Sequence, residues 1–579
     1  MKNIYRDIYI KDIVKINEEE CVRLSGFVDK IRDHGGVLFL DLRDSTGIMQ
    51  CAFNDDSLIS GVTKESSVTV LGKLAKRKEE DFNLKLETGK LELKVSELTV
   101  LGKALNSLPF DVQSSTTVSE DVRLKYRFLD LRNKGMHDNI IFRSKVISYL
   151  RNKMDGLGHV EIQTPILTAS SPEGARDFLV PSRKFHGKFY ALPQAPQIFK
   201  QLLMCSGFDK YYQIAPCFRD EDARSDRVYG EFYQLDLEMA YATEEDVLKV
   251  GEEIFYDTFK HFSDKKISDK PFRRISYKES IDKYGTDKPD LRNPLEIIDV
   301  TNIFTLSTFS PFRNTTIKSI VVKNIGDKSN SWFNEIVDYA KSIGMPGIGY
   351  LKTNSDNTFA GPIDKFLSID ERDNLIKFAK LEDNDVIFFI ANKKQAPKLA
   401  GLIRDELGKK LDLIDKNSFE FCIINDFPMY EKNPDTNKYE FSHNPFSMPK
   451  GGMDSLVNQN IEDVIAHQFD FVCNGIELAS GAVRNHDIEI MKKAFDLAGY
   501  PESEIENRFR SLYTAFKYGA PPHAGMAPGI DRMIMLLLDS ESIRETICFP
   551  LAASGFDLMM GCPNEVSEAQ LREVHIKIR

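Results

Sequence analysis

No apolar run in these 579 residues is long enough to cross a bilayer, and the opening MKNIYRDIYI lacks the apolar core of a signal peptide. Cysteine is sparse and scattered: eight residues at 21, 51, 205, 217, 422, 473, 548 and 562, none in a CxxC pair. That spacing argues against a zinc ribbon or a disulfide framework, and it makes a reducing cytoplasm the default compartment, with no membrane partner. The phosphate loop GxxxxGK[ST] and the zinc motif HExxH are both absent, which removes two common enzyme classes. A basic excess is missing too. The net charge is −11, which disfavours indiscriminate adhesion to nucleic acid while leaving room for a partner bound through local basic sites. What is present, 42% hydrophobic and 28% charged residues, suits a chain able to bury large cores. Its length allows roughly three or four domains.

Residues 1–105 read as all-β. CVRLSGFVDKI, VLFLDLRD, GIMQCAF and SSVTVLGKL alternate apolar with polar positions and are separated by turns at His34-Gly35-Gly36, Thr46-Gly47 and Gly72. About five strands in that length suit a small closed barrel such as an OB-fold. The Ser/Thr-rich LNSLPFDVQSSTTVSED then reads as a linker, with 106–130 as the hinge region. From 131 to 290 the pattern is mixed. A helix over IIFRSKVISYLRNKMDGLG is stopped by Gly156 and Gly158, and HVEIQTPIL follows as a strand ending at Pro165. Over 291–410 short strands alternate with helices, which predicts an inserted α/β domain. The earlier style resumes over 411–579. The expected class is α+β, with the barrel N-terminal to the mixed region.

One stretch is unusually dense in both signs of charge. In CFRDEDARSDRVYGEFYQLDLEM, Arg219, Asp220, Glu221, Asp222, Arg224, Asp226, Arg227 and Glu231 crowd together. A solvated helix with i,i+4 pairs is the ordinary explanation. The flanks argue for a strand, a long loop and a second strand: Ile214, Pro216 and Phe218 alternate with polar or small residues before the run, and Tyr233, Leu235 and Leu237 alternate with Gln234, Asp236 and Glu238 after it. Long loops are usually functional or disordered.

Four further segments carry possible chemistry. AHQFDFVCNGIELASGAVR contains Asn474-Gly475, the strongest two-residue hairpin turn. The predicted register sets Val472 opposite Glu477 and Asp470 opposite Ala479. Asp470 and Glu477 would then be diagonal neighbours within reach of one Mg²⁺ on substrate phosphates. The alternative is a polar outer sheet face. GAPPHAGMAPGIDRMIMLLLDS opens small and runs into an apolar helix, where Gly525 and Gly529 permit close approach and the helix start favours an anion. Arg532 stands at the unfavourable end of that helix dipole, so it answers to a phosphate or a stacked base. SSPEGARDFLVPSR has the look of a mobile loop, and in ALPQAPQIFKQLLM Gln197 and Lys200 share a helix face. Taken singly, each of these is as well explained by surface polarity.

Together the segments resemble the class II aminoacyl-tRNA synthetases, and within them the aspartyl-tRNA synthetases of bacterial type. The three class II signatures appear in order: the helix and strand ending at Pro165, FRDEDARSDR…EFYQLD, and GMAPGIDR. More selective are SPEGARDFLVPSR, QIFKQLL, YGTDKPDLRNP and RDHGGVLFLDLRDSTGIMQ. The likeness covers nearly the whole chain. It implies a homodimer built on a six-stranded antiparallel sheet. It also implies ATP-dependent activation of L-aspartate, followed by transfer to the 3′ end of tRNA(Asp). By family position Arg219, Glu477 and Arg532 are catalytic. ATP is met by Arg219, Asp220, Glu221, Phe232, Glu477, Gly529, Ile530, Asp531 and Arg532, and adenine is sandwiched between Phe232 and Arg532. Asp470 and Glu477 hold Mg²⁺. Lys200 and Arg484 receive the side-chain carboxylate of aspartate with Asp236 orienting them, Glu173 and Gln197 take the ammonium, and His443 closes over the substrate. The barrel reads the anticodon through Asp33, His34, Phe39 and Gln50, with Phe39 as a stacking platform.

The sequence departs from that family in places. Val228-Tyr229-Gly230 inserts one residue, Ala195 replaces a frequent Ser, ELASGAVR is less Gly-rich than usual, and Asn444 follows His443 where a second His is frequent. His34, where many relatives have Leu, accompanies relaxed tRNA choice in the family and adds tRNA(Asn) to the expected partners. The competing readings are a sister class II synthetase for asparagine or lysine, and an inactive tRNA-binding paralogue.

Overall fold

The computed structural model describes residues 3–33, 38–170, 175–356 and 358–578, and the chain divides into two compact units, 1–118 and 119–579. The first unit is a closed five-stranded barrel of β1 (Cys21–Asp33), β2 (Leu38–Arg43), β3 (Ile48–Phe53), β4 (Ser67–Lys76) and β5 (Leu91–Gly102), in the order β1-β2-β3-β5-β4. Alternation drives it. Val22, Leu24, Leu40, Leu42, Met49, Cys51, Phe53, Val68 and Val70 all point into one sealed core, and the intervening residues face out. The barrel closes through a parallel β3–β5 contact and an antiparallel β1–β4 ladder.

The second unit is organised around an eight-stranded sheet. Its strands are β6 (Val160–Glu161), β7 (Lys210–Arg219), β8 (Gly230–Ala240), β9 (Arg273–Ser276), β10 (Phe421–Asn425), β11 (Gln468–Cys473), β12 (Ile476–Val483) and β13 (His523–Pro528). The order is β9-β10-β11-β12-β13-β8-β7-β6. All pairings among the inner strands, from β10 to β7, are antiparallel, and parallel strands β9 and β6 close the edges. One face is covered by helices α1 (Lys134–Gly156), α3 (Glu244–Phe262) and α5 (Ile530–Leu537), packed on Leu235, Leu237, Phe469, Phe471 and Met526. Helix α2 (Gln197–Cys205) flanks the other face, which holds the polar cleft.

Several expectations change here. The strand expected to run to Pro165 is only Val160–Glu161, because past it the chain leaves the edge of β7. The 106–130 stretch is not a plain linker: Val112–Thr117 is 3₁₀, and Glu120–Lys125 and Arg127–Asp130 are helical, tied down by Arg123 and Arg127 on buried Asp130. In GAPPHAGMAP the small residues form β13, the central strand, where an apolar helix was the only element expected. The 291–410 region alternates strands with helices as expected, but every pairing of its five-stranded sheet is antiparallel. It ends in helix α4 (Ala396–Lys410), placed in chain order between α3 and α5.

Candidate active site

The charged run is a strand–loop–strand. In the β7–β8 register Arg219 pairs with Gly230, Cys217 with Phe232, Ala215 with Gln234 and Gln213 with Asp236. Paired residues share a face, so Arg219, Phe232, Gln234, Asp236 and Glu238 line one surface while Leu235 and Leu237 enter the helix-side core. Val228 and Tyr229 brace the loop. Val228 is buried against Met535 and Ile543, and the Tyr229 hydroxyl donates to Asp220 Oδ1 at 2.9 Å. Glu221 pairs with Arg227 at 2.7 Å.

The cleft floor is a four-residue charge network. Lys200 Nζ lies 2.7 Å from Asp236 Oδ1 and 3.3 Å from Glu238 Oε2. Arg484 donates Nε to Glu238 Oε1 at 2.8 Å and Nη2 to Glu238 Oε2 at 3.0 Å. All four side chains are buried. Glu238 is the member the sequence reading missed, although its alternation with Leu237 had placed it on the Asp236 face. Arg484 is oriented by Glu238 and Lys200 chiefly by Asp236, so the expectation that Asp236 orients both is corrected: Glu238 lies two residues further along β8, nearer the guanidinium. Burial raises the Asp236 carboxyl against the pull of Lys200, whereas for Glu238 the opposing burial is outweighed by Arg484 and Lys200 and its carboxyl falls below the usual range. Gly525 on β13 makes this possible: a Cβ there would lie 2.1 Å from Glu238 Oε2. Asp236 Oδ2 and Gln197 Nε2 are buried with no hydrogen-bond partner among the described residues. The Nη1 of Arg484 also makes no hydrogen bond among them.

The cleft continues along β7 and β8 as a cavity of about 360 Å³ walled by Arg219, Phe232, Glu477, Gly529 and Arg532. The Arg219 guanidinium lies 5.0 Å above the Phe232 ring. Arg532 contacts Asp226 Oδ2 at 3.2 Å and donates to the Glu477 backbone oxygen at 2.8 Å. Of the other expected ATP contacts, the Ile530 side chain is in the core, and buried Asp531 pairs with Arg143 and accepts from the Tyr233 amide at 3.0 Å.

The hairpin register differs from expectation by a bulge. Val472 does pair with Glu477, but Phe471 pairs with Ala479 and Asp470 with Ser480. Leu478 is the extra residue, so Leu478 and Ala479 both enter the helix-side core. Ala479 is therefore not on the carboxylate face; Ser480 is. Asp470 and Glu477 still meet in the cleft. Burial, then the charge of Glu477, pushes Asp470 well above the usual carboxylate range. Glu477 falls below its usual range because Lys288 and Arg532 overcome its own burial. Asp470 Oδ1 has no hydrogen-bond partner among the described residues. Lys288 Nζ sits 3.0 Å from Glu477 Oε2.

His443 stands at the mouth of the cleft, its ring 5.0 Å from Phe427 and edge-on, and desolvation takes its imidazole pKa below the ordinary value. Glu173 and His34 lie outside the described residues. On the barrel, Phe39 pairs with Arg32 and Ala52, and Asp41 with Lys30 and Gln50, so these share the outer face. Asp33 pairs with Leu38 and stands on the opposite pleat. Arg32 contacts Asp41 at 2.5 Å, and Arg77 donates to Gln50 Oε1 at 2.9 Å, two cations on this face that the sequence reading did not single out.

An antiparallel sheet carries arginines, carboxylates and a buried charge network on one face, in a chain that also holds a five-stranded barrel. Residues 119–553 match the family described as tRNA synthetases class II (D, K and N), and residues 22–101 match the OB-fold nucleic acid binding domain. The chain belongs to the class II tRNA synthetases. It is 51% identical over 572 residues to the Aspartate–tRNA(Asp/Asn) ligase of Rickettsia canadensis, covering 96% of this chain and 95% of that one. It is 50% identical over 588 residues to the Aspartate–tRNA(Asp/Asn) ligase of Ehrlichia chaffeensis, covering 100% and 99%. Solved structures share the fold. The asparaginyl-tRNA synthetase of Pyrococcus horikoshii has a TM-score of 0.57 at 18% identity, covering 95% of this chain and 98% of that one. A putative aspartyl-tRNA synthetase from Leishmania major has a TM-score of 0.59 at 19% identity, covering 95% and 94%.

Proposed function

We propose that the protein is an aspartate–tRNA ligase that activates L-aspartate with ATP and charges tRNA(Asp) and tRNA(Asn). The observation that carries the choice of amino acid is the buried floor, where Lys200 and Arg484 present cations beside an open cavity. Aspartate and asparagine are nearly isosteric. A carboxylate gives the free Nη1 of Arg484 a charged partner, and an amide offers only a neutral one. Sites built around polar pairing reject such misfits strongly. The unpartnered Asp236 Oδ2 can accept from the α-ammonium, while the unpartnered Gln197 Nε2 is a donor suited to a substrate oxygen.

Arg219 lies where the two halves of the cleft join, and would hold the reacting carboxylate against the α-phosphate. One carboxylate oxygen attacks the α-phosphorus and forms an O–P bond. The bond from that phosphorus to the bridging oxygen breaks, and pyrophosphate leaves with the electron pair. The carboxylate enters ionised, so no side chain need remove a proton. Phe232 and Arg532 would flank adenine. The orphaned oxygen of Asp470 beside Glu477 fits a Mg²⁺ held mainly by phosphates, for which one or two carboxylates suffice. Such an ion would supply charge neutralisation.

Half-buried Phe39 beside exposed Arg32, on the outer face of the barrel, supports anticodon contact. Exposed apolar residues Phe128, Ile141, Val160, Ile166 and Leu167 support a homodimer formed along α1 and the segment after it. All eight cysteines are unpaired, in keeping with a cytoplasmic setting, and no described helix is long and apolar enough to cross a membrane. ATP–pyrophosphate exchange with aspartate, asparagine and lysine, then charging of both purified tRNAs, tests the reading. Exchange with asparagine or lysine in place of aspartate would refute it. Charging of tRNA(Asp) alone would remove the second tRNA.

A further inference from the structure

The segment YGTDKPDLRNP brings its lysine to the centre of the site. Of the residues that wall both halves of the cleft, two are cations: Arg219 and Lys288. Both therefore stand where the amino-acid carboxylate must meet the α-phosphate. Lys288 is held there by two carboxylates, Glu477 Oε2 at 3.0 Å and Asp287 Oδ2 at 3.4 Å, and it remains half-buried.

Its backbone is fixed from several directions. The Lys288 amide donates to Thr286 Oγ1 at 3.1 Å, and the Thr286 carbonyl accepts from Ser280 Oγ at 2.7 Å. Fully buried Arg404, on α4, donates to the carbonyl oxygens of Asp290 at 2.9 Å, Asn293 at 2.7 Å and Leu295 at 2.6 Å. Gly285, at φ 72°, lies so close to α4 that a Cβ would fall 2.2 Å from the Pro397 carbonyl oxygen. Pro289 restricts Lys288 itself to an extended backbone. A lysine that merely solvated the surface would need none of this. The arrangement delivers one ammonium group to one place.

We propose that Lys288 is a further catalytic residue of adenylate formation, exchanging Glu477 for an oxygen of the α-phosphate as the carboxylate attacks. The proposal rests on the aspartate–tRNA ligase reading. During the step the bond from the carboxylate oxygen to phosphorus forms and the bond to the leaving pyrophosphate breaks, so negative charge moves over the phosphate oxygens. Arg219 makes directional contacts from one side. A flexible ammonium with rotatable donors follows moving charge from the other. The acids Glu477 and Asp287 keep the ammonium in place until phosphates arrive.

The test uses the full-length protein with Lys288→Met, Lys288→Gln and Lys288→Arg. Single-turnover aspartyl-adenylate formation is followed by rapid quench with labelled ATP. Equilibrium affinity for a non-hydrolysable ATP analogue and the thermal midpoint are measured alongside. Loss of a transition-state donor predicts a rate about 10²–10³-fold lower for Lys288→Met and Lys288→Gln. Analogue affinity should change less than about threefold, and Lys288→Arg should recover at least about tenfold of the loss. A wild-type rate in both neutral variants overturns the proposal, as does a gain in analogue affinity with an unchanged rate, which would make Lys288 only a counter-ion of Glu477. A wild-type protein that forms no adenylate with aspartate refutes the ligase reading itself, a result separable from either. Should Lys288→Met lower the thermal midpoint, Lys288→Gln, which keeps a polar end, carries the comparison.

Discussion

Arg484 sets two nitrogens on the two carboxylate oxygens of Glu238, at 2.8 and 3.0 Å, with both side chains buried beneath the cleft. The guanidinium is thereby fixed in the cleft lining with Nη1 left without a hydrogen bond among the described residues. Lysine keeps the charge but cannot span both oxygens. Arg484→Lys should lower kcat/KM for aspartate in pyrophosphate exchange about 100-fold, with the KM for ATP nearly unchanged. Glu238→Gln should destabilise the fold by about 3 kcal/mol, since it leaves two buried cations sharing one carboxylate. Exchange kinetics and urea unfolding measure the two effects.

Tyr229 ties the end of the charged loop to Asp220. Tyr229→Phe removes one hydrogen bond to an ionised group, worth about 1.5–3 kcal/mol at most in such contacts. The expected result is a rise of severalfold in the KM for ATP with kcat retained. An unchanged KM would show that Val228 alone, buried on Met535 and Ile543, sets the loop.

Phe39 belongs to the barrel, so its loss should separate the two substrates of the enzyme. Phe39→Ala should weaken tRNA binding by about 1–3 kcal/mol. Exchange with aspartate and ATP alone should be unaffected. Filter binding and exchange on the same preparation decide it.

His159 supplies a pH test. Burial, and then the charge of Lys210, takes its imidazole pKa down to about 4, and both ring nitrogens are buried without a hydrogen-bond partner among the described residues. At pH 7 the group is neutral folded and largely neutral unfolded, so it adds little to the slope of stability with pH. As pH falls below the unfolded value of about 6.5, the unfolded chain takes up a proton that the native state refuses. Stability is lost progressively down to pH about 4, by about 3 kcal/mol in all. His159→Leu should remove that part of the slope, seen as a smaller drop in unfolding free energy between pH 7 and 4 than in the wild type.

Much of this architecture could be read from residue order. Period-two alternation located β7 and β8 on either side of the charged run, and Asn474-Gly475 located the hairpin and the Val472–Glu477 pair. It did not reveal the bulge at Leu478, because an extra residue leaves no mark when the residue after it, Ala479, is also apolar. Nor did it reveal β13. His523–Pro528 mixes Ala524, Gly525, Ala527 and Pro528 with His523 and Met526 and has little strand propensity; it is a strand because it pairs with β8 on one side and β12 on the other.

The sequence by itself determined the strands that flank the charged run, the polar face they share and the family to which the signatures belong, since these depend on local spacing and on residue type. Only the tertiary structure decided which charges meet. Glu238 reaches Arg484, and Lys288 reaches Glu477, through strand order and through the anchoring of a loop by Arg404. Those distances are set by long-range sheet pairing and buried packing, which no local period in the chain encodes.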